Sequence, residues 1–180
     1  QTPIWSEEFY IGSAPDPATW SYDIGTGRWG WGNQELQNYT SDAANVRIAE
    51  GNLIITALRD GDNFTSARIK TEDKLTFKYA TVEARIKTPD LANGLWPAFW
   101  TLGNNFSDIG WAECGEIDIM EMGHVGAIAD GAVNRRVGSA GHYEKYASNR
   151  YDADFLDRPA DINDTFIIYR MVWTPTTIST

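Results

Sequence analysis

One cysteine, Cys114, stands among 180 residues, which rules out an intrachain disulfide and any cysteine-ligated metal cluster. Without a base near it in the sequence, Cys114 reads as a small buried hydrophobe. No apolar run reaches the length needed to span a bilayer. No signal-peptide pattern is visible, and the start at Gln1 reads as a mature or trimmed N-terminus. Internal repeats, linkers and any helical pattern of three turns are missing as well. Positive charge is scarce: 15 Lys and Arg against 25 Asp and Glu give a net charge of −10. That balance argues against nucleic acid and against anionic membrane surfaces as partners.

What is present is β structure and aromatic side chains. Short alternating segments recur between Gly, Pro, Asn and Asp clusters. They predict strands at 4–9, 45–49, 53–58, 66–70, 78–87, 98–102, 116–121 and 170–173. Glu50-Gly51-Asn52 is a hairpin turn signal, 89–94 reads as a loop, and 154–164 reads as loop-like. The expectation is an all-β sandwich in one domain. The chain carries eight Trp and eight Tyr. Some of these fill a core; Trp and Tyr also stack on apolar faces while offering a polar handle. Asn38, Asn63, Asn105 and Asn163 each begin a glycosylation acceptor triplet, a pattern that also arises by chance.

The densest chemistry lies in Gly115-Glu116-Ile117-Asp118-Ile119-Met120-Glu121. Side chains alternate along a strand, so Glu116 and Asp118 share one face and Ile117 and Ile119 the other. Strict alternation turns Glu121 away. One β-bulge near Ile119-Met120 brings it back beside the other acids. Three carboxyls so close must share or hold protons, and carboxyls with separated pKa values are what glycosidic bond cleavage requires. The alternative is a solvated polar face, but like charges side by side on a strand destabilise it. Four pleated steps between the two glutamates span about 13 Å, and inward-leaning side chains would close that to about 5–6 Å, the separation of a retaining pair.

This segment resembles the catalytic motif of family 16 glycoside hydrolases, Glu-x-Asp-x-x-Glu, in the bulged form of the laminarinase branch. Glu7-Glu8-Phe9, the run Trp31 to Gln37, Val82-Glu83-Ala84-Arg85 and Gly94-Leu95-Trp96-Pro97-Ala98-Phe99-Trp100 resemble further signatures in the family's order. The resemblance implies a β-jelly-roll of two antiparallel sheets with a concave cleft. The implied activity is endo-acting, retaining hydrolysis of β-1,3-glucan; a mixed-linkage β-1,3-1,4-glucanase and a non-catalytic β-glucan-binding module are the alternatives. It casts Glu116 as nucleophile, Glu121 as general acid and then base, and Asp118 as the residue that tunes both.

The same resemblance places Trp96, Trp100 and Trp111 under the sugar rings, where core packing is the alternative. It gives Glu83, Arg85, Asn33 and Glu35 sugar contacts, with a surface ion pair as the alternative for Glu83 and Arg85, and puts His142 near the leaving group. The chemistry needs no cofactor. A structural Ca²⁺ is implied, with Glu8 and Gly51 at its early positions. A neutral β-glucan suits the acidic charge better than a sulfated one, and secretion is implied. The family's domain continues beyond the strand entered at Tyr169, so residues 1–180 are expected to lack the last C-terminal strands, which another chain or segment would supply.

Overall fold

The computed structural model describes residues 2–92, 94–144 and 150–180, with Arg150 described by its backbone alone. Gln1, and Asn93 of the expected loop at 89–94, lie outside the described residues. The chain divides into two compact units, Gln1–Thr76 and Phe77–Thr180.

The first unit contains β1 (Ser21–Asp23), β2 (Gln37–Tyr39), β3 (Val46–Ala49), β4 (Asn52–Ile55), β5 (Leu58–Asp60), β6 (Asn63–Ser66) and β7 (Arg68–Lys70). β3 and β4 form the expected hairpin across Glu50-Gly51. Both turn residues have positive φ, 54° and 68°, the combination that matches strand twist in a two-residue loop. β1 pairs antiparallel with β7, and β5 with β6. β2 runs parallel to β6, which departs from the purely antiparallel sheets expected; the β3–β5 excursion supplies the long crossover a parallel pair needs.

Asn45, only 2% exposed, is the polar hub of this unit. Its Nδ2 donates to Thr56 O and to Thr65 Oγ1, both at 3.0 Å, while its Oδ1 accepts from Thr40 Oγ1 at 2.6 Å. A buried amide is tolerated only when its donors and acceptors are satisfied in this way.

The second unit contains β8 (Thr81–Ile86), β9 (Ala98–Leu102), the single-turn α1 (Phe106–Ile109), β10 (Glu116–Glu121), the short α2 (Val125–Ala129), β11 (Arg136–Tyr143), β12 (Arg150–Asp157), β13 (Ile167–Trp173) and β14 (Ile178–Ser179). One antiparallel sheet has the order β12-β11-β10-β9, and a second has the order β14-β13-β8. Their apolar faces meet in one core. Ile119, Met120 and Met122 pack there with Tyr169 and Met171, and Ile117, Val82 and Ile86 close its margin. The face of β10 opposite this core is the one that carries Glu116 and Asp118.

Other sequence expectations also differ from the structure. Residues 4–9 form no strand: the Glu7 carboxylate accepts the Phe9 N–H at 2.9 Å and Phe9 has φ 55°, a local bond that competes with ladder formation. The expected 66–70 strand is broken at the buried Ala67 into β6 and β7. Residues 150–157, whose second half was expected to be loop, are an eight-residue strand in full register with β11. Its aspartates have low strand propensity, but they alternate with Tyr151, Ala153 and Phe155.

Asn45→Ala should lower the stability of the chain by about 1–3 kcal/mol, since it leaves Thr40 and Thr65 and the Thr56 carbonyl without their buried partner. Urea unfolding followed by tryptophan fluorescence measures this, and a change below about 0.5 kcal/mol, the size of an ordinary surface substitution, would contradict the hub.

Candidate active site

β10 carries the bulge that the acidic motif requires. Against β11, Asp118 pairs with Ala140 but Glu121 pairs with Gly138; against β9, Asp118 pairs with Trp100 and Met120 with Phe99. One extra residue is therefore accommodated between Asp118 and Glu121, and Glu121 returns to the face of the other two acids. Ser139 Oγ donates to the Ile119 carbonyl at 3.3 Å, supporting a backbone oxygen at the irregularity.

An indole reaches each glutamate. Trp111 Nε1 donates to Glu116 Oε2 at 3.1 Å, and Trp96 Nε1 donates to Glu121 Oε1 at 3.0 Å. Trp96 is brought in by a close backbone approach. Met122 N–H donates to Pro97 O at 3.2 Å. Gly123, at φ 92°, lies where a Cβ would sit 2.2 Å from Leu95 O, so only glycine fits. Trp96 therefore precedes β9 rather than sharing a strand face with Trp100, because Pro97 marks the strand's start.

Asp118 occupies the centre and is 4% exposed. Its carboxyl is pushed up to about 8, first by burial and then by the charges of Glu116 and Glu121. His142 stands opposite Glu116 in the register, with Nε2 3.2 Å from Asp118 Oδ2 and 3.9 Å from Glu116 Oε1. Burial lowers the His142 pKa, against an opposing pull from Glu121. At neutral pH the pair is thus a protonated acid beside a neutral imidazole, within hydrogen-bond reach. Ligand atoms of Glu116, Asp118 and His142 lie within 4.8 Å of one another. A metal there would have to displace the Asp118 proton, so the cluster reads as a proton-holding group.

The remaining predicted residues fall elsewhere. Glu83 and Arg85 sit on β8, on the side away from Val82 and Ile86 and so away from the core. Glu83 pairs with Arg170 across the sheet, and the Arg85 guanidinium lies 3.6 Å over Phe166. Both therefore lie on the β8 face turned away from the core; alternation showed that they share a face but not which face.

In the first unit, Asn33 Nδ2 donates to Glu35 Oε1 at 3.4 Å, and Tyr39 OH donates to Glu35 Oε2 at 3.2 Å. Arg68, which sequence reading passed over, stacks 4.1 Å over Trp31 beside them. Glu8 is exposed and Gly51 is a turn residue packed near Tyr10. Calcium takes about six to eight oxygens, and among the described residues no acidic trio gathers around Glu8. Glu8 and Gly51 alone supply fewer oxygens than a calcium ion takes. Tyr151 and Phe155 of β12, which sequence reading also passed over, line a cavity with Glu121 and His142.

A bulged strand presenting three carboxyls beside indole donors, in an all-β chain, is the equipment of a glycoside hydrolase. The chain belongs to Glycosyl hydrolases family 16, whose profile matches residues 28–180. It is 38% identical over 178 residues to the beta-glucanase of Rhodothermus marinus, covering 96% of this chain and 59% of that protein. Identity to the glucan endo-1,3-beta-glucosidase A1 of Niallia circulans is 35% over 187 residues, covering 94% of this chain and 26% of that protein. The chain thus spans only part of the length of these relatives.

Among solved structures, the Bacteroides ovatus mixed linkage glucan GH16 in complex with a G4G4G3G product matches with a TM-score of 0.85 at 36% identity, over 96% of this chain and 71% of that one. The laminarinase catalytic domain from Thermotoga maritima matches with a TM-score of 0.77 at 36% identity, over 96% and 70%. The fold class is the β-jelly-roll of these glucanases. No helix among the described residues is long and apolar enough to cross a membrane.

The position of the Asp118 proton makes stability pH-dependent. Its folded pKa of about 8 lies above the ordinary aspartate value of 3.8. Between those values the folded chain holds a proton that the unfolded chain has released, so stability falls as pH rises from about 4 to about 8. Asp118→Asn cannot titrate and should lose this component. Melting temperatures measured across that range should fall less steeply in the variant than in the wild type; parallel profiles would refute the assignment.

Proposed function

We propose that this chain performs endo-acting, retaining hydrolysis of β-1,3-glucan by double displacement. The observation that carries the reading is the set of three carboxyls on one face of β10, with an indole N–H on each glutamate and a proton held on Asp118 between them. Glu116 attacks the anomeric carbon while Glu121 protonates the glycosidic oxygen, so the C–O bond breaks and the leaving sugar departs with its hydroxyl. Water then attacks the glycosyl ester. Glu121 takes a proton from that water, and Glu116 is released as carboxylate.

Asp118 responds to these changes. The charge of Glu116 helps hold the Asp118 proton, and ester formation removes that charge, so the proton is freer to move while the intermediate exists. No metal or cofactor enters any step. Trp96, Trp100 and Trp111 serve as the aromatic surface for the sugar rings, His142 stands on the leaving-group side, and Asn33 and Glu35 add sugar contacts. The net charge of −10 suits a neutral polysaccharide, met outside the cell by a secreted protein. The chain itself acts as a catalytic domain.

A second reading is cleavage of mixed-linkage β-1,3-1,4-glucan. It is favoured by the higher TM-score, 0.85 against 0.77, to the mixed linkage glucan structure at equal identity. Chromatography of the products from laminarin and from barley glucan separates the two.

Glu116→Gln should cut turnover of laminarin by more than about a hundredfold, the scale of one lost catalytic group, while oligosaccharide binding persists. A variant keeping a tenth of the wild-type rate would overturn the nucleophile. Trp100→Ala should weaken glucan binding by about 1–3 kcal/mol if its ring stacks on sugar as aromatic rings stack on other flat groups. Titration calorimetry reads this, and unchanged affinity with a lowered melting temperature would make Trp100 a core residue.

A further inference from the structure

Residues 103–115 join β9 to β10, and the loop closes where the two strands end. Leu102 stands opposite Glu116 in the ladder. Gly103 N–H donates to Gly115 O at 2.8 Å, and Gly115 N–H donates to Ala112 O at 2.9 Å. Between these ends the chain bonds to itself. Phe106 N–H donates to Gly103 O at 2.9 Å, Gly110 N–H to Phe106 O at 2.8 Å, and Cys114 N–H to Gly110 O at 3.0 Å. Phe106 and Ile109 stay exposed, whereas Ala112 is fully buried. Backbone bonds and one small buried residue, more than the packing of those two large side chains, therefore set the course of the loop.

Two glycines make that course possible. A Cβ on Gly103 would lie 1.9 Å from Cys114 O and 2.7 Å from its carbonyl carbon, a backbone clash that no rotamer relieves. Gly110, at φ 77° and ψ 176°, occupies a region open essentially to glycine alone. Trp111 follows it directly. The indole that this loop carries donates from Nε1 to Glu116 Oε2 at 3.1 Å, and its ring lies 5.5 Å from that of His142. The last torsion of a glutamate is broad, so a donor held on one carboxyl oxygen sets the direction in which the group faces.

We infer that Gly103 and Gly110 are positioning residues of the reaction: they hold the loop so that the Trp111 indole aims the Glu116 carboxylate at the anomeric carbon. The inference rests on the reading of Glu116 as nucleophile. In the first step an oxygen of Glu116 bonds to the anomeric carbon, and the leaving group departs with the electron pair of the broken C–O bond. A small error in aim is costly at this point, because the attacking atom must already lie close to its target and in line with it. The later attack of water on the glycosyl ester needs Glu121 as base, and no aimed carboxylate. A misplaced indole therefore slows the first step and spares sugar binding. Trp111 gains a duty beside that of supporting a sugar ring, and two residues without side chains become part of the machinery through it.

The test uses the full chain in saturating excess over 2,4-dinitrophenyl β-laminaribioside. Dinitrophenolate leaves without being protonated, so its release in a single turnover reports attack by Glu116 alone. The rate constant at saturation does not depend on what fraction of the protein is folded. Gly103→Ala and Gly110→Ala should each lower it about tenfold or more, the scale of a small misplacement, while the half-saturating protein concentration rises in proportion only to the unfolded fraction. Trp111→Phe, which keeps a ring but lacks the N–H, should do the same. In a Trp111→Phe chain, either glycine substitution should add less than about twofold, since residues that act through one contact are not additive. A Cβ on Gly110 meets no atom within 4 Å, so Gly110→Ala decides the matter where Gly103→Ala does not fold. Rate constants within about twofold of wild type in the folded glycine variants, or a tenfold loss that persists undiminished in the Trp111→Phe chain, overturn the positioning role. Equal release by wild type and Glu116→Gln overturns the nucleophile reading instead, and the positioning role with it.

Discussion

Like charges crowded onto one strand repel, and β10 holds three carboxyls within six residues. The structure manages that repulsion instead of avoiding it. Asp118, in the centre, is buried and keeps its proton to about pH 8, so the acid that separates the two glutamates is neutral under ordinary conditions. Each glutamate receives an indole N–H, a donor that orients the carboxyl without adding a titrating group. What remains is a strain on the fold, and it is borne by the other side of the same strand. Ile117 and Ile119, with Met120 and Met122 beyond them, sink into the core against Tyr169 and Met171. Burial of that apolar surface, at about 25 cal/mol per Å², anchors a strand whose opposite face would not hold by itself.

The bulge links the two faces. Without the extra residue, Glu121 would exchange places with a core methionine, and the strand would lose both an acid and an anchor. The cost is a locally broken ladder, partly met by the Ser139 hydroxyl on the Ile119 carbonyl. The neighbouring backbone is then fixed tightly enough for aim: Gly123 admits Leu95 at a distance no side chain would allow, and this brings the Trp96 indole within 3.0 Å of Glu121. A glycine outside the motif thus sets the position of an aromatic ring inside the site.

How much of this could be read from the sequence depended on how local the cause was. The bulge was legible because the parity of three acids and two isoleucines demands it within six residues. The Glu50-Gly51 hairpin was legible because a two-residue loop needs positive φ. Glu83 and Arg85 show the limit: alternation places them on one face, but only the partner strand decides which face meets the core, and β13 turned theirs outward. β12 was obscured because propensity weighs its aspartates against a strand, while pairing with β11, a non-local interaction, decided otherwise. Residues 4–9 failed in the opposite sense, since a side-chain bond between neighbours, Glu7 to Phe9, outcompeted an apolar pattern. The proton on Asp118 was anticipated in kind, as one of three acids that must hold protons, but its location follows from burial, which no spacing reports.

The polar face of the four-stranded sheet has a gradient, from carboxyls on β10 through small residues on β11 to rings on β12. A pyranose presents hydroxyls around its rim and C–H groups on its faces, so a site needs both charged groups that point at one bond and flat apolar groups that support a ring. β10 supplies the charge, β11 supplies space through Gly138 and Ala140, and β12 supplies the rings. Reversing any two of these roles fails physically. Aromatic side chains on β11 would fill the cavity of about 170 Å³ beside Glu121, and small residues on β12 would leave it without a wall. Carboxyls on an edge strand would be hydrated and lose the burial that keeps a proton on Asp118 at neutral pH. The central strand is the place for the acids because it has neighbours on both sides to exclude water, and rings on β12 keep one face open to solvent.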